Sequence, residues 1–478
     1  MKILQKIFSV FLAVVLLSIP LSPAASAAEA DKTIADCPYI FIHGFMGSSI
    51  YVDPSDPDSE LAWPPSGDAI WTAVKKTLPA LGALLITHNY EKFADKVIPA
   101  VDEMFKPIML DANGNVPDKS GVRWSYPDAG SIKKDSRLEY VYDWRISPLE
   151  AAAGLNDFID YVLECSGASQ VVAEAHSYGG VVLTTYAKLY GTSKIRSWMF
   201  NTTAVFGEAY TGDLFTGNLV FRDKALTSYL KGVLDYSDSE KFLDFLFDFL
   251  YYTKITSFAC KLVNRLADGI GSVRLGQAIL PLFGGWLSIW SMVPDEKAED
   301  AYNYVFNTVY KDDTTDRCGL KEKVRAFDTQ IRPYKAETLN KINEDANLYV
   351  ISRCGYNAMF MTDSWVNESD TVIDTKYSSF GATCAPHGEK LSEDYLKNAD
   401  EKYVSPGKTI DSSTGMFPEQ TWFIRHYTHS KWDSSLDEFS AKLLYCEEQA
   451  NVNTFNEYPQ YLYYNETTHL IESDSNQK

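Results

Sequence analysis

Residues 171–180 constrain this chain more than any other stretch. They read Val-Val-Ala-Glu-Ala-His-Ser-Tyr-Gly-Gly, and Val-Val-Leu-Thr-Thr-Tyr-Ala-Lys follows at once. A short apolar strand runs into a sharp turn with Ser177 at its apex, and a helix begins directly behind it. Only small residues fit beside a residue held in such a turn, and Ala175 and Gly179 stand there. The serine hydroxyl is thrown clear of the strand, at the positive end of the helix. A helix docked straight onto a strand commits the chain to layered α/β architecture.

A small-x-Ser-x-Gly turn between strand and helix is the nucleophile elbow of the α/β hydrolases. Alone the pentapeptide is common, and the bland alternative is a serine in an ordinary loop. Its context raises its weight. The chain earlier reads Cys37-Pro-Tyr-Ile-Phe-Ile-His-Gly-Phe-Met-Gly-Ser48, an apolar strand (Tyr39 to Ile42) ending in His43-Gly44. In that fold this loop supplies one backbone N–H of an oxyanion hole, and the residue after the nucleophile supplies the other. The donors expected here are Phe45 and Tyr178. Loss of one such donor typically raises the barrier by about 3–4 kcal/mol.

The first residues form a secretory signal: Lys2 and Lys6, an apolar run from Ile7 to Ile19, and Ala25-Ser26-Ala27 as a small-residue cleavage site. The expected setting is secreted, or extracellular. No later stretch has the roughly 18 uninterrupted apolar residues of a membrane span, so no permanent membrane anchor is expected. With 64 acidic against 44 basic residues, the net charge of −20 argues against a nucleic-acid partner. The seven cysteines are an odd number, and their spacing fits no zinc module.

Alternation of strands and helices predicts a mostly parallel sheet with helices on both faces. Strands are expected at Tyr39–Ile42, Leu138–Tyr142, Gln170–Ala175, Ser197–Asn201, Leu348–Ser352 and Thr421–Arg425. Helices are expected at Ala69–Leu78, Tyr90–Phe105, Glu150–Cys165 and Asp433–Ala450. Between 207 and 345 no strand pattern stands out. The aromatic run Lys241–Tyr252 and the apolar run Ile279–Pro294 fit a helical cap inserted into the sheet, although a buried helix on the core is the simpler account of the first. The expected organisation is a signal peptide (1–27), an α/β-hydrolase core in two parts (28–206 and 346–450), a large helical cap insertion (207–345) and a loose polar tail (451–478).

In this fold the acid and the histidine follow the serine, on loops after the last two strands. Of the seven histidines, His43 and His176 belong to the motifs above. His88 precedes the serine, His387 precedes the last strand, and His469 lies in the tail. Two remain, His426 and His429. The strand is expected to run on through His426, which leaves His429 as the base. For the acid, Asp363, Asp370 and Asp374 all follow strand 348–352. Asp370 is preferred because an apolar pair, Val372-Ile373, follows it, but its neighbours fit nearly as well. The acid would hold the imidazole tautomer and stabilise the imidazolium.

With these residues assembled, the chain resembles the lecithin:cholesterol acyltransferase family of lipases, as a distant, bacterial-type secreted member. Four segments carry the resemblance: His43-Gly44-Phe45-Met46-Gly47-Ser48, Tyr142-Asp143-Trp144-Arg145, Ala175-His176-Ser177-Tyr178-Gly179-Gly180 and Ser369-Asp370-Thr371-Val372. Tyr-Asp-Trp-Arg is the most telling. The acid of that family usually stands two positions before the Thr-Val pair, where this chain has Ser369. His43 stands where the family often has proline. The resemblance implies serine-dependent acyl transfer from a lipid ester to water or to an alcohol, without metal or cofactor. It also implies a Cys354–Cys384 bridge.

The leading expectation is therefore a lipase- or phospholipase-like serine esterase using Ser177, His429 and Asp370. Its partner is a lipid or ester substrate, including one presented at a lipid–water interface. An O-acyltransferase would use the same machinery with a different acceptor. A non-catalytic binding protein on the same scaffold is the alternative from another class, and a peptidase is a weaker one. The sequence leaves the head group, chain length and oligomeric state open.

Overall fold

The computed structural model describes residues 37–66, 105–117, 119–234, 272–474 and scattered positions between 67 and 104 and between 260 and 264. Its centre is an eight-stranded sheet: β1 (Tyr39–Ile42), β2 (Arg137–Tyr140), β3 (Val171–Ser177), β4 (Ile195–Thr203), β5 (Asn347–Cys354), β6 (Thr421–Arg425), β7 (Tyr461–Asn465) and β8 (Leu470–Ser473). The spatial order is β8-β7-β6-β5-β4-β3-β1-β2. Every pairing is parallel except the terminal β7–β8 hairpin. All seven residues of β3 are buried, as expected of a central parallel strand covered on both faces. The protein is thus an α/β protein built on a mostly parallel sheet.

The helices beside the sheet follow local rules. Helix α1 (Pro148–Ser166) starts with Pro148 at its first turn. The Ser147 side chain accepts the Leu149 amide at 3.3 Å, and Gly167 closes the helix in left-handed conformation at φ 68°. Helix α2 (Gly179–Tyr190) leaves the end of β3 with no intervening loop. Its first residue has to be glycine: a Cβ there would lie 2.3 Å from the Ile42 carbonyl oxygen. Helices α3 (Lys335–Asp345) and α4 (Ser434–Leu444) precede β5 and follow β6.

Among the described residues no strand lies between Thr203 and Asn347. This stretch holds the helices Ala209–Phe215, Asp223–Leu234, Ser272–Phe283, Leu287–Met292 and Cys318–Gln330. The signal segment and the aromatic run Lys241–Tyr252 lie outside the described residues. Within the expected helices Ala69–Leu78 and Tyr90–Phe105, the scattered positions described are helical. No described helix is long and apolar enough to cross a membrane.

Three expectations need correction. The expected loose tail, 451–478, is not borne out over its described residues, 451–474, because β7 and β8 extend the sheet. Leu462, Tyr464 and Ile471 pack into a core cluster with Trp422 and Phe439. The polar turn between those strands dilutes two short apolar stretches, which is why the composition misleads. Strand β6 stops at Arg425, since His426 turns into left-handed backbone at φ 60°. The expected Cys354–Cys384 bridge is absent, and all seven cysteines are free thiols. Cys354 and Cys384 share an apolar cluster with Ala382, Ile410 and Phe423. Burial pushes both thiols well above their ordinary range, which disfavours the thiolate needed for exchange.

Candidate active site

The parallel strands bring their C-terminal ends to one edge of the sheet, and the candidate residues follow β1, β3, β5 and β6 there. Ser177 ends β3 with φ 57°. Such backbone is costly for a residue with a Cβ and persists only where the surroundings enforce it. Here the Ala204 amide donates to the Ser177 carbonyl at 3.1 Å, and α2 begins immediately behind. The loop after β1 presses against the same turn. A Cβ on Gly44 would sit 2.5 Å from the Ser177 Cβ and 3.0 Å from its Oγ, so only glycine allows this approach.

Of the three candidate aspartates after β5, only Asp370 meets a histidine. Its Oδ2 accepts from His429 Nδ1 at 2.6 Å, and its backbone carbonyl accepts the His429 amide at 2.7 Å. The Val372 and Ile373 amides donate to Asp370 Oδ1 at 2.9 and 2.7 Å. Asp370 is fully buried and His429 nearly so. Asp363 instead pairs with Arg222 at the surface, at 2.6 Å. Asp374 accepts the Ala209 amide at 2.9 Å and Asn367 at 2.6 Å. The other histidines have separate partners. His387 meets Glu368 at 2.9 Å, and His426 meets Arg425 at 2.9 Å.

The histidine loop reaches the serine turn through His176. The His176 and His429 rings lie 4.5 Å apart, and Trp432 meets His176 edge-on at 5.5 Å. Burial, then the neighbouring His429 and Arg353, hold His176 well below the ordinary histidine range, so it is neutral. Arg353, at the end of β5, was not singled out by sequence. It is fully buried, and its Nη1 donates to the carbonyls of Thr428, His429 and Lys431 at 3.2, 2.9 and 2.8 Å. Its Nε donates to Asn201 at 3.1 Å. One guanidinium thereby fixes the loop that carries His429. An arginine ending a buried apolar strand was the available signal.

The two expected amide donors, Phe45 and Tyr178, flank Ser177 on the β1 loop and at the start of α2. Neither amide is engaged by a carbonyl among the described residues. The Tyr-Asp-Trp-Arg segment braces that β1 loop. The Tyr142 hydroxyl donates to the His43 carbonyl at 2.8 Å, and its ring stacks on the His43 ring at 4.5 Å. Trp144 Nε1 donates to the Ser48 carbonyl at 3.0 Å. Asp143 and Arg145 pair at 2.6 Å, and the Arg145 Nη1 reaches Ser120 at 2.9 Å. Burial lowers His43 to about 4, and its Nε2 meets Ser48 Oγ at 2.5 Å. His43 therefore shapes the loop as a neutral ring.

A cavity of about 180 Å³ adjoins Phe45 and Val372. Its wall is mostly apolar, with Met46, Trp286, Met292 and Phe360 among its residues, and Glu208 is the carboxyl within it. Among the described residues no cluster of His, Cys, Asp and Glu has the makings of a metal site. The arrangement offers a strained serine, a buried carboxylate–imidazole pair and two free amides on one sheet edge.

No family model matches this chain, and no curated protein matches it. Among solved structures, the crystal structure of the Tle4-Tli4 complex aligns with 37% of this chain and 48% of that one, at 14% sequence identity and a TM-score of 0.22. The chain spans about half that protein's length, an overlap too slight to carry an argument about fold or function.

Proposed function

We propose that this protein is a serine carboxylic-ester hydrolase of α/β-hydrolase type, acting on esters with an apolar acyl group such as lipid esters. The observation that carries the reading is the buried Asp370–His429 hydrogen bond of 2.6 Å beside a serine turn at φ 57°. The order of strands around the serine, with the acid after β5 and the histidine after β6, is the order that fold uses. The four motifs resembling lecithin:cholesterol acyltransferase-like lipases add to it. The helices between 207 and 345 are the proposed cap, and the signal-like leader makes the proposed setting extracellular.

In this reading the Ser177 Oγ attacks the ester carbonyl carbon while His429 Nε2 takes its proton. The amides of Phe45 and Tyr178 hold the resulting oxyanion. The C–O bond to the alcohol then breaks, and His429 returns the proton to the leaving oxygen. Water repeats the sequence on the acyl-enzyme and releases the acid. Asp370 keeps the Nδ1–H tautomer and stabilises the imidazolium.

The test is hydrolysis of p-nitrophenyl esters of graded chain length by the wild type and Ser177→Ala, with a fluorophosphonate label as a second readout. Activity and labelling that both vanish in the variant support the proposal. Equal activity in the two proteins, or no activity and no label in either, overturns it.

A further inference from the structure

Glu208 is a buried carboxyl that the reaction above does not use. It precedes the helix Ala209–Phe215, and its amide donates to the Met292 carbonyl at 2.9 Å. The chain can turn into this position only through Gly207, at φ 103°, where a Cβ would stand 2.6 Å from Pro294 Cα. The backbone thus delivers the side chain to the cavity beside Phe45 and Val372. Thirteen of the sixteen residues lining that cavity are apolar, the others being Glu208, Tyr210 and Thr211.

The two carboxyl oxygens of Glu208 differ. Oε2 accepts the Thr211 hydroxyl at 2.7 Å, whereas Oε1 is buried with no partner among the described residues. Buried polar atoms are rarely left this way, and in native proteins an exception asks for an explanation. Burial raises the acid to about 8, Thr211 opposes the rise, and the charges of Asp374 and Asp370 add to it. Glu208 is therefore protonated at neutral pH. Oε2 already shares a hydrogen bond with the Thr211 hydroxyl, so a proton carried on Oε1 is a buried O–H without an acceptor among the described residues.

We propose that Glu208 is a specificity-determining residue: it makes the cavity select an acyl chain carrying an oxygen acceptor within about six heavy atoms of the ester carbonyl, over a plain hydrocarbon chain. The range follows from size, because a cavity of about 180 Å³ is comparable to one that holds a benzene-sized group. The chain's own oxygen would take up the orphaned O–H while its methylenes fill the apolar wall. A hydrocarbon chain would leave that donor unpaired, and sites built around a buried hydrogen-bonding group discriminate against analogues lacking its partner. This inference rests on the ester-hydrolase reading for its substrate.

The experiment compares p-nitrophenyl hexanoate with its 3-, 4- and 5-oxa analogues, each with one chain methylene replaced by oxygen. Values of kcat/KM, normalised to each ester's rate with hydroxide, are measured for wild type, Glu208→Gln and Glu208→Leu. One oxa ester should exceed hexanoate by about tenfold in the wild type. Glu208→Gln should retain that preference through its amide N–H, and Glu208→Leu should reverse it. A wild type that prefers hexanoate, or a preference that survives in Glu208→Leu, overturns the proposal.

Where Glu208→Leu does not fold, the pH profile decides. The groups facing Glu208 are Asp370 and Asp374 from the loop after β5, Tyr210 and Thr211 on its own helix, and Tyr229 on the next. Above about pH 8 the wild type should lose the oxa preference while Glu208→Gln keeps it, and parallel profiles would overturn the idea. Absence of serine-dependent turnover on all four esters would instead sink the hydrolase reading. The cavity is then judged by calorimetry with hexanamide and its oxa analogues on wild type and Glu208→Gln. A shared preference for one oxa amide supports the role of Glu208, and equal affinities or no binding overturn it.

Discussion

Two cavities flank the loop that carries Asp370, and they differ in how their polar groups are paired. The larger, about 660 Å³, is lined by Asp295, Glu296, Glu368, Asp374 and Lys376 among others. Its carboxylates are all partnered within the protein. Asp295 meets Arg332 at 2.9 Å and Lys335 at 2.5 Å, Glu296 accepts from Tyr377 at 2.7 Å, and Glu368 holds His387 and the Gly355 amide. The smaller cavity, about 180 Å³, is mostly apolar and leaves Glu208 Oε1 without a partner among the described residues. Volume favours the first and unfinished bonding favours the second. Saturated hydrogen bonds hold a structure together, whereas an unsatisfied group in an apolar cavity that reaches Phe45 is available to a ligand.

The strongest test of this contrast is the loop between the cavities. Asp370→Asn should lower kcat/KM by about 10³–10⁴-fold while leaving the fold intact, because the amide favours the wrong imidazole tautomer. Steady-state kinetics beside a circular dichroism melt would check it, and an unaffected rate would remove Asp370 from the mechanism. Gly44→Ala comes next. The added methyl would meet Ser177 Cβ at 2.5 Å and displace the loop that carries the Phe45 amide. A fall in kcat of about 10²–10³-fold is expected, with KM changing little.

A paired comparison addresses the cavities themselves. Leu282→Phe narrows the small cavity and should shift preference toward shorter acyl chains by about tenfold. Met416→Phe intrudes on the large one and should leave chain-length preference as it was. The opposite pattern, measured on the same ester series, would move the acyl site to the larger cavity.

A further effect is on stability rather than on turnover. The acid of Glu208 is raised to about 8 by burial, against 4.5 for the exposed group. Between those values the native state holds a proton that the unfolded chain has released, so stability falls as pH rises through this window and levels off above it. Glu208→Gln removes that contribution. Relative to the wild type, the variant should gain a few kcal/mol between pH 5 and pH 8, read from urea unfolding at both values. Parallel curves would mean that Glu208 is ionised throughout.

The sequence by itself determined the local pieces. Strand Tyr39–Ile42, strand Thr421–Arg425 and the turn at Ser177 could be read from apolar runs, small residues and spacing, because each depends on neighbours close along the chain. The histidine expectation, His429, came instead from the order in which the α/β-hydrolase fold places its acid and base after the serine. Asp363, Asp370 and Asp374 lie within a dozen residues of one another, and only the loop's path through space decided which of them meets His429, 59 residues further on. The two final strands escaped notice because a polar turn dilutes their apolar residues, and because β7 joins the sheet only by pairing with β6 from an earlier part of the chain. Arg353 and Glu208 were overlooked because their significance lies in what surrounds them: three carbonyls for the first, an apolar wall for the second. Pairing, burial and the absence of a partner are properties of packed neighbours, and those exist only once distant segments have come together.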